Sequence, residues 1–497
     1  MSAKSSSSIK IRMYRQGLGD CFLLTAKKDG AKNFNMLIDC GLLQGTANGT
    51  EIMRQVVGDI EATLKAQQPG AGKPALDVVV LTHEHADHIS GFNQAKEVFE
   101  RIDFREVWAA WMDDEGHPKY KLVRERFHKQ VTGLKAAMTQ MDATEQTGLK
   151  ETVETLVNEF FDEDVLGAAG KKGKRSSAFE SALSKSTQPP KFFTPGTTFT
   201  LPGFDDIRVY VLGPSEDFES FTKVNPPEDD TYRSDAGQAF ALMDSFFAAV
   251  GGDDEDEGLS PELFQPFEEP LRVKPDKAER DDFFKGHYGF GSSAPNAWRQ
   301  INSDWLSVAG GLALNLDSYT NNTCLAFAIE FVDSKKVLLF PGDAQFSNWL
   351  SWQKVNYEIP DDKGVKQKVT AKDLLSRTVF YKVGHHGSHN ATLKKHGLEM
   401  MTSPDLVAMI PVDREQAKSK TSKTNPKGWE MPEKNLFDRL IEKARGRVVL
   451  ADEKELTGLQ QRCKDQSFPS KVEFGGKLTR TPGSAEEPLY VELTIQG

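Results

Sequence analysis

Residues 77–88 read Asp77-Val78-Val79-Val80-Leu81-Thr82-His83-Glu84-His85-Ala86-Asp87-His88. The apolar run that follows Asp77 is continuous, as expected of a central strand buried on both faces. Behind it, three histidines and one aspartate fall within the six residues 83–88. A solitary histidine is usually a packing residue, but packing does not explain this density of imidazoles on a strand-end loop. Imidazole and carboxylate together suit zinc, and also manganese or iron. His83 and His85 are two apart in an extended loop, so both side chains can meet one ion. Asp87 and His88 can reach a second, and paired ions of this kind lie roughly 3.5–4 Å apart and share a bridging oxygen.

Two later segments supply what this loop lacks. Lys336-Val337-Leu338-Leu339-Phe340-Pro341-Gly342-Asp343 reads as a strand, a turn and a carboxylate that can bridge two cations. Tyr381-Lys382-Val383-Gly384-His385-His386-Gly387-Ser388-His389 is another strand end, with three histidines in five residues. Strand-end loops of a sheet sandwich converge at one edge, so the three segments can meet.

Around these motifs the chain reads as strands and helices. Ile9, Ile11 and Met13 alternate with polar residues, and 21–26 and 36–38 are short apolar runs. Helical periodicity covers 51–67, 94–101 and 432–443. Further strand signals lie at 106–111, 197–201, 207–212, 323–331, 336–340, 378–383, 406–410, 447–450 and 489–495. No internal repeat is visible. Two strand-rich halves followed by helices suit a layered α/β sandwich.

The expected organisation is a first core half at 1–118, a helical insertion at 119–190, core strands at 191–214, an irregular acidic insertion or lid at 215–305, a second core half at 306–452, and a C-terminal extension with a closing strand at 453–497. Within the first insertion, 119–163 is helical in pattern, and 164–190 is linker-like, rich in Gly, Ala, Lys and Ser. The helical part is expected to pack on its own domain, with a homo-oligomer surface as the alternative. The run Asp253-Asp254-Glu255-Asp256-Glu257 reads as a solvated loop.

Composition narrows the classes. The 497 residues include 31 Phe and 7 Trp, enough apolar material for a large core. A net charge of −11 argues against broad electrostatic coating of nucleic acid, though not against a local basic groove. Cys21, Cys40, Cys324 and Cys463 are scattered without a C-x-x-C pair, so free buried thiols are expected. The N-terminus lacks an apolar signal region and no apolar run approaches the ~20 residues of a membrane helix. A soluble, cytoplasmic protein with no membrane partner is expected.

His83-x-His85-x-Asp87-His88 resembles the signature of the metallo-β-lactamase superfamily, and Leu37-Ile38-Asp39-Cys40-Gly41 looks like that family's first motif. The branch that includes the C-terminal domain of ComEC-type DNA-uptake proteins is similar in Gly17-Leu18-Gly19-Asp20-Cys21-Phe22-Leu23-Leu24, Asn321-Asn322-Thr323-Cys324-Leu325, Leu339-Phe340-Pro341-Gly342-Asp343-Ala344 and Lys382-Val383-Gly384-His385-His386-Gly387-Ser388. The similarity covers about residues 9–110, 195–215 and 318–452. It implies an αβ/βα sandwich, here with helical and irregular insertions, and two divalent ions, zinc first and manganese second. It implies His83, His85 and Asp343 on one ion, and Asp87, His88, Asp343 and either His385 or His386 on the other. Asp39 would orient the metal loop through hydrogen bonds. Asp87, His386 and His389 are the candidate catalytic residues, and Ser388 and Lys423 the candidate substrate contacts. The chain departs from the pattern twice. No third-motif histidine stands between Ala110 and Asp343, where His117, His128 and His287 read as surface residues. Met431-Pro432 stands where the branch often has His-Pro.

These residues imply a metal-dependent hydrolase. A phosphodiesterase or nuclease using a metal-bridging hydroxide is favoured, by analogy to the branch. Its partner would be nucleic acid or a small phosphodiester. The alternative is a hydrolase of a small ester, lactone, thioester or cyclic nucleotide, with the insertions as a lid. A non-catalytic, metal-stabilised binding protein is the third reading. Lys171, Lys172, Lys174 and Arg175, and Lys418, Lys420, Lys423 and Lys427, could guide a phosphate backbone, although solvated lysines are the commoner case. Trp298, Trp305 and Trp349 could stack bases, although core packing is the better expectation.

Overall fold

A computed structural model describes residues 6–70, 72–125, 127–128, 131, 175–217, 230–232, 273, 275–287, 316–360, 364–421 and 426–497. In chain order the strands are β1 (Ser8–Tyr14), β2 (Cys21–Lys27), β3 (Phe34–Cys40), β4 (Ala75–Val80), β5 (Asp103–Ala110), β6 (Lys191–Phe193), β7 (Thr198–Leu201) and β8 (Phe204–Gly213). They continue with β9 (Ala326–Phe331), β10 (Val337–Phe340), β11 (Asn356–Pro360), β12 (Lys366–Thr370), β13 (Thr378–Lys382), β14 (Val407–Ile410), β15 (Val448–Leu450), β16 (Val472–Gly475) and β17 (Tyr490–Gln496).

One sheet has the order β16-β17-β1-β2-β3-β4-β5-β6 and the other β15-β14-β13-β10-β9-β8-β7, while β11 and β12 form a separate hairpin. The period-two pattern decides what each face meets. Met36, Ile38, Val78 and Val80 join Phe327, Ile329, Leu338, Phe340, Phe380 and Met409 in the layer between the sheets. Leu37, Val79 and Leu81 point the other way, under the helix Gly49–Gln67, which buries Ile52, Val56, Ile60 and Leu64 at helical spacing. On the second sheet Phe380 faces inward, and Tyr381 meets Trp349 of the helix Phe346–Trp352. The layers are therefore helix, sheet, sheet, helix, the αβ/βα sandwich expected.

The two sheets repeat one topology that no sequence repeat announces. β1, β2 and β3 are antiparallel and β3, β4 and β5 parallel. β8, β9 and β10 are likewise antiparallel, and β10, β13 and β14 parallel. Asp39 at the end of β3 and Asp343 after β10 thus occupy matching places, as do the loops after β4 and β13. The C-terminal residues complete the first sheet, with β17 antiparallel to β1 from Ser8↔Gln496 to Tyr14↔Tyr490.

Met1–Arg124, Asn158–Ala236 and Asp317–Gly497 make up one compact unit, which holds the sandwich. Glu125–Val157 and Gly237–Leu316 make up the other, whose described parts include the short helices Pro275–Ala278 and Asp282–His287. The acidic run 253–257 and most of 119–163 lie outside the described residues. Residues 177–184, read from composition as linker, form a helix capped by the Ser176 hydroxyl, which accepts from Phe179 N–H; Ala178, Phe179, Ala182 and Leu183 are buried. All four cysteines are free and buried. Among the described residues no helix is long and apolar enough to cross a membrane.

Candidate metal centre

β3 and β4 are parallel neighbours, so the residues leaving them lie side by side. Asp39 uses that proximity. Its Oδ1 accepts from Thr82 N–H at 2.8 Å, and its Oδ2 accepts from the Thr82 hydroxyl and from His88 Nδ1, each at 2.7 Å. The carboxylate is acceptor-only, so Nδ1 of His88 carries its proton and Nε2 is the atom turned inward. The backbone of β3 comes equally close. A Cβ on Gly41 would lie 2.3 Å from the carbonyl carbon of Asp87 and from His88 N. The turn before β2 closes the same corner, Asp20 N–H donating to Asp87 O at 2.8 Å.

The other two segments arrive from the second sheet. Asp343 Oδ1 accepts from His385 N–H at 2.8 Å and from Lys382 Nζ at 3.0 Å, which leaves Oδ2 facing His88 Nε2 at 3.0 Å without a hydrogen bond. Lys382 also pairs closely with Asp20. His385 and His386 both adopt left-handed backbone, φ 46° and 53°, an uncommon state for non-glycine residues. That turn aims the His385 amide at Asp343 and sends the His386 ring across to the first sheet. His386 Nδ1 donates to Pro411 O at 2.6 Å, and Nε2 stands 3.0 Å from Asp87 Oδ2. On the remaining side, His83 Nδ1 lies 3.1 Å from the Thr82 hydroxyl, and its Nε2 lies 3.0 Å from His85 Nδ1.

The side chains of His83, His88 and Asp343, and those of Asp87, Asp343 and His386, converge closely enough to hold a cation each, and all are buried. Asp343 is common to both groups. Between the two histidines left open by the sequence, the geometry groups His386 with Asp87 and Asp343; His385 contributes its amide to Asp343.

The electrostatics describe a centre short of positive charge. Burial disfavours the His88 cation, yet Asp343, Asp20, Asp87 and Asp39 hold the imidazole well above its usual range. Burial likewise opposes ionisation of Asp87, but His88 and His386 hold its carboxyl down at about 2. His83 is driven well below the imidazole range and His85 to about 3, in both cases first by burial. Burial together with Asp87 and Asp343 pushes Asp317 up to about 8. Asp87 Oδ1, Asp343 Oδ2 and His88 Nε2 are buried without hydrogen bonds, an arrangement that costs free energy unless a cation satisfies them. The donor set, nitrogen and carboxylate oxygen, fits divalent ions.

Other residues singled out in the sequence stand apart. The Ser388 hydroxyl donates to Asn390 Oδ1, and His389 is half-buried and outside these groups. Lys423, Trp298 and Trp305 lie outside the described residues. Trp349 is fully buried, its indole N–H donating to Ala344 O, so it packs the core. His117 faces Glu216 and the Trp111 ring, and His287 is exposed. Sequence reasoning passed over Lys382, Asp20, Thr82 and Asp317. A lysine inside the apolar run of β13 was a signal, since a buried ammonium needs partners.

No curated protein and no solved structure matches the chain. Residues 14–107 match the family model of the metallo-beta-lactamase superfamily. That stretch holds Asp39, His83, His85, Asp87 and His88, while Asp343 and His386 come from the second sheet beyond it. Joined to the strand order of the two sheets, the match identifies a metallo-β-lactamase-fold domain, the fold of a superfamily made up mostly of metal-dependent hydrolases.

Proposed function

We propose that this protein is a dinuclear metal-dependent hydrolase that cleaves a phosphodiester, in nucleic acid or in a smaller molecule. One observation carries the reading. Ligand atoms of His83, His88, Asp87, Asp343 and His386, from three distant segments, are buried together, with Asp343 shared between two groups. By the resemblance, His83, His85 and Asp343 would hold one ion and Asp87, His88, Asp343 and His386 the other; in the structure His88 also converges with His83 and Asp343, and His85 stands beside His83 at 3.0 Å. Divalent ions there would supply Lewis acidity to the scissile centre and lower the pKa of water.

The chain's own residues do the rest. Asp39 and Pro411 O fix the tautomers of His88 and His386 so that Nε2 of each faces inward. Lys382 and the His385 amide hold Asp343 by one oxygen, leaving the other for the centre. The choice of phosphodiester rests on the similarity to the DNA-uptake branch and not on the geometry.

The test is elemental analysis of the purified chain together with a substrate screen under added zinc or manganese. About two equivalents of metal and hydrolysis of plasmid DNA, single-stranded DNA or bis-p-nitrophenyl phosphate are expected. Turnover of carboxylic esters or lactones without phosphodiester cleavage would replace the substrate class. Absence of bound metal would remove the mechanism.

A further inference from the structure

Asp317 lies just before β9, in a segment none of the metal motifs includes. It is 8% exposed, and its Oδ1 makes no hydrogen bond. A buried carboxylate in that condition is costly unless something compensates it. Asn321 and Gln345, both fully buried, stand beside it, but they do not offset burial and the nearby Asp87 and Asp343, which hold its carboxyl above the usual range. Across from it is His85, with Nε2 3.9 Å from Asp317 Oδ1.

The His85 ring decides what the carboxylate can do. Its Nδ1 lies 3.0 Å from His83 Nε2, close enough for one cation to meet both nitrogens. Nε2, on the far side of the ring, is turned to Asp317. The carboxylate therefore meets the nitrogen that points away from the centre, and it belongs to none of the converging ligand groups. A shift of about 1 Å would bring the pair to hydrogen-bond distance.

We propose that Asp317 is the positioning residue of the His83–His85 half of the centre, accepting from His85 Nε2–H and fixing the ring with Nδ1 toward the cation. The inference rests on the metal-centre reading above. It matches a general device in which a carboxylate sets the tautomer and orientation of a ligating imidazole. Asp39 already serves His88 in the same way.

The test uses the full chain stripped of metal and titrated with zinc against a chromophoric chelator, and with cobalt followed by its visible spectrum. D317N keeps the side-chain shape and carries the main measurement, with D317A and D317E beside it. The expected result for D317N and D317A is an affinity about 10–100-fold weaker at one of two sites, with the other little changed. An altered cobalt ligand-field spectrum and partial recovery in D317E are also expected. Unchanged zinc affinity and cobalt spectrum in D317N would overturn the proposal. So would a lower Tm of the metal-free D317N protein with metal binding intact, which marks a purely structural role. A wild-type chain that takes up neither zinc nor cobalt would bring down the metal-centre reading and this inference with it. Wild-type binding with indifferent variants brings down this inference alone.

Discussion

Asp343 divides its two oxygens between different tasks. Oδ1 is occupied by Lys382 and the His385 amide, and Oδ2 faces His88. Asp343→Ala is therefore expected to lower metal content at both positions, measured by elemental analysis, and two retained equivalents would argue against sharing. The two adjacent histidines should separate in the same assay. His386→Ala removes a converging nitrogen and should cost one equivalent and most of the turnover. His385→Ala keeps the amide that holds Asp343 and should retain both ions. The dense histidine loop at 83–88 was legible because local spacing alone brings its imidazoles and carboxylate together. Asp20, Lys382 and the choice of His386 were not legible, because each depends on which residue a distant loop presents opposite it.

At the scale of elements, the junction between β3 and the metal loop is a backbone-to-backbone contact. A methyl group on Gly41 would meet the main chain of Asp87 and His88 at 2.3 Å, where no flexible side chain can yield. Gly41→Ala is expected to cost about 1–3 kcal/mol by overpacking and to weaken metal binding at the same time. Thermal unfolding and a metal titration check it, and an unchanged Tm would mean that the junction relaxes freely. Strands with a strong two-residue period were readable, since one face of each must be buried. The hairpin β11–β12 was not: β12 exposes Lys366, Gln367 and Lys368 and shows no apolar period, and β11 offers only Tyr357 and Ile359 as alternating buried residues. The helix Ser177–Ser184 escaped notice for a related reason. Eight residues of Ser, Ala, Phe, Glu and Leu beside a Gly- and Lys-rich run look like linker until tertiary packing buries Phe179 and Leu183.

For the whole molecule, the sandwich depends on ties between its sheets. Asp206 of β8 accepts from Ser7 N–H at 3.2 Å, from the Ser7 hydroxyl at 2.9 Å and from Lys28 Nζ at 3.1 Å, joining the second sheet to the first. Burial works against its ionisation, but these donors hold its carboxyl below the usual range. A depressed folded pKa means that the stabilisation is present above the unfolded value near ~3.9 and is lost as pH falls through the lower folded value. Asp206→Ala should cost about 1–3 kcal/mol at neutral pH. The gap from wild type should shrink in acid, which denaturant melts across pH 2.5 to 7 will read. A gap independent of pH would assign the loss to packing. Ions bound only by the folded chain add stability by mass action, about 2.7 kcal/mol at 100 times Kd. A strong chelator should therefore lower Tm, and adding zinc back should restore it.

Local pattern alone pointed to the layered α/β class, the buried strand before residue 83, the dense His/Asp loop at 83–88 and the free cysteines. Each of these is a matter of period, spacing or residue chemistry within a few positions. Tertiary structure alone decided which of two neighbouring histidines turns inward, that Asp20 and Lys382 line the centre, that Asp317 stands behind His85, and that the two halves share a topology. Those outcomes follow from where parallel strands end relative to one another and from the packing of one sheet on the other, which brings residues 83–88 to residues 343 and 386.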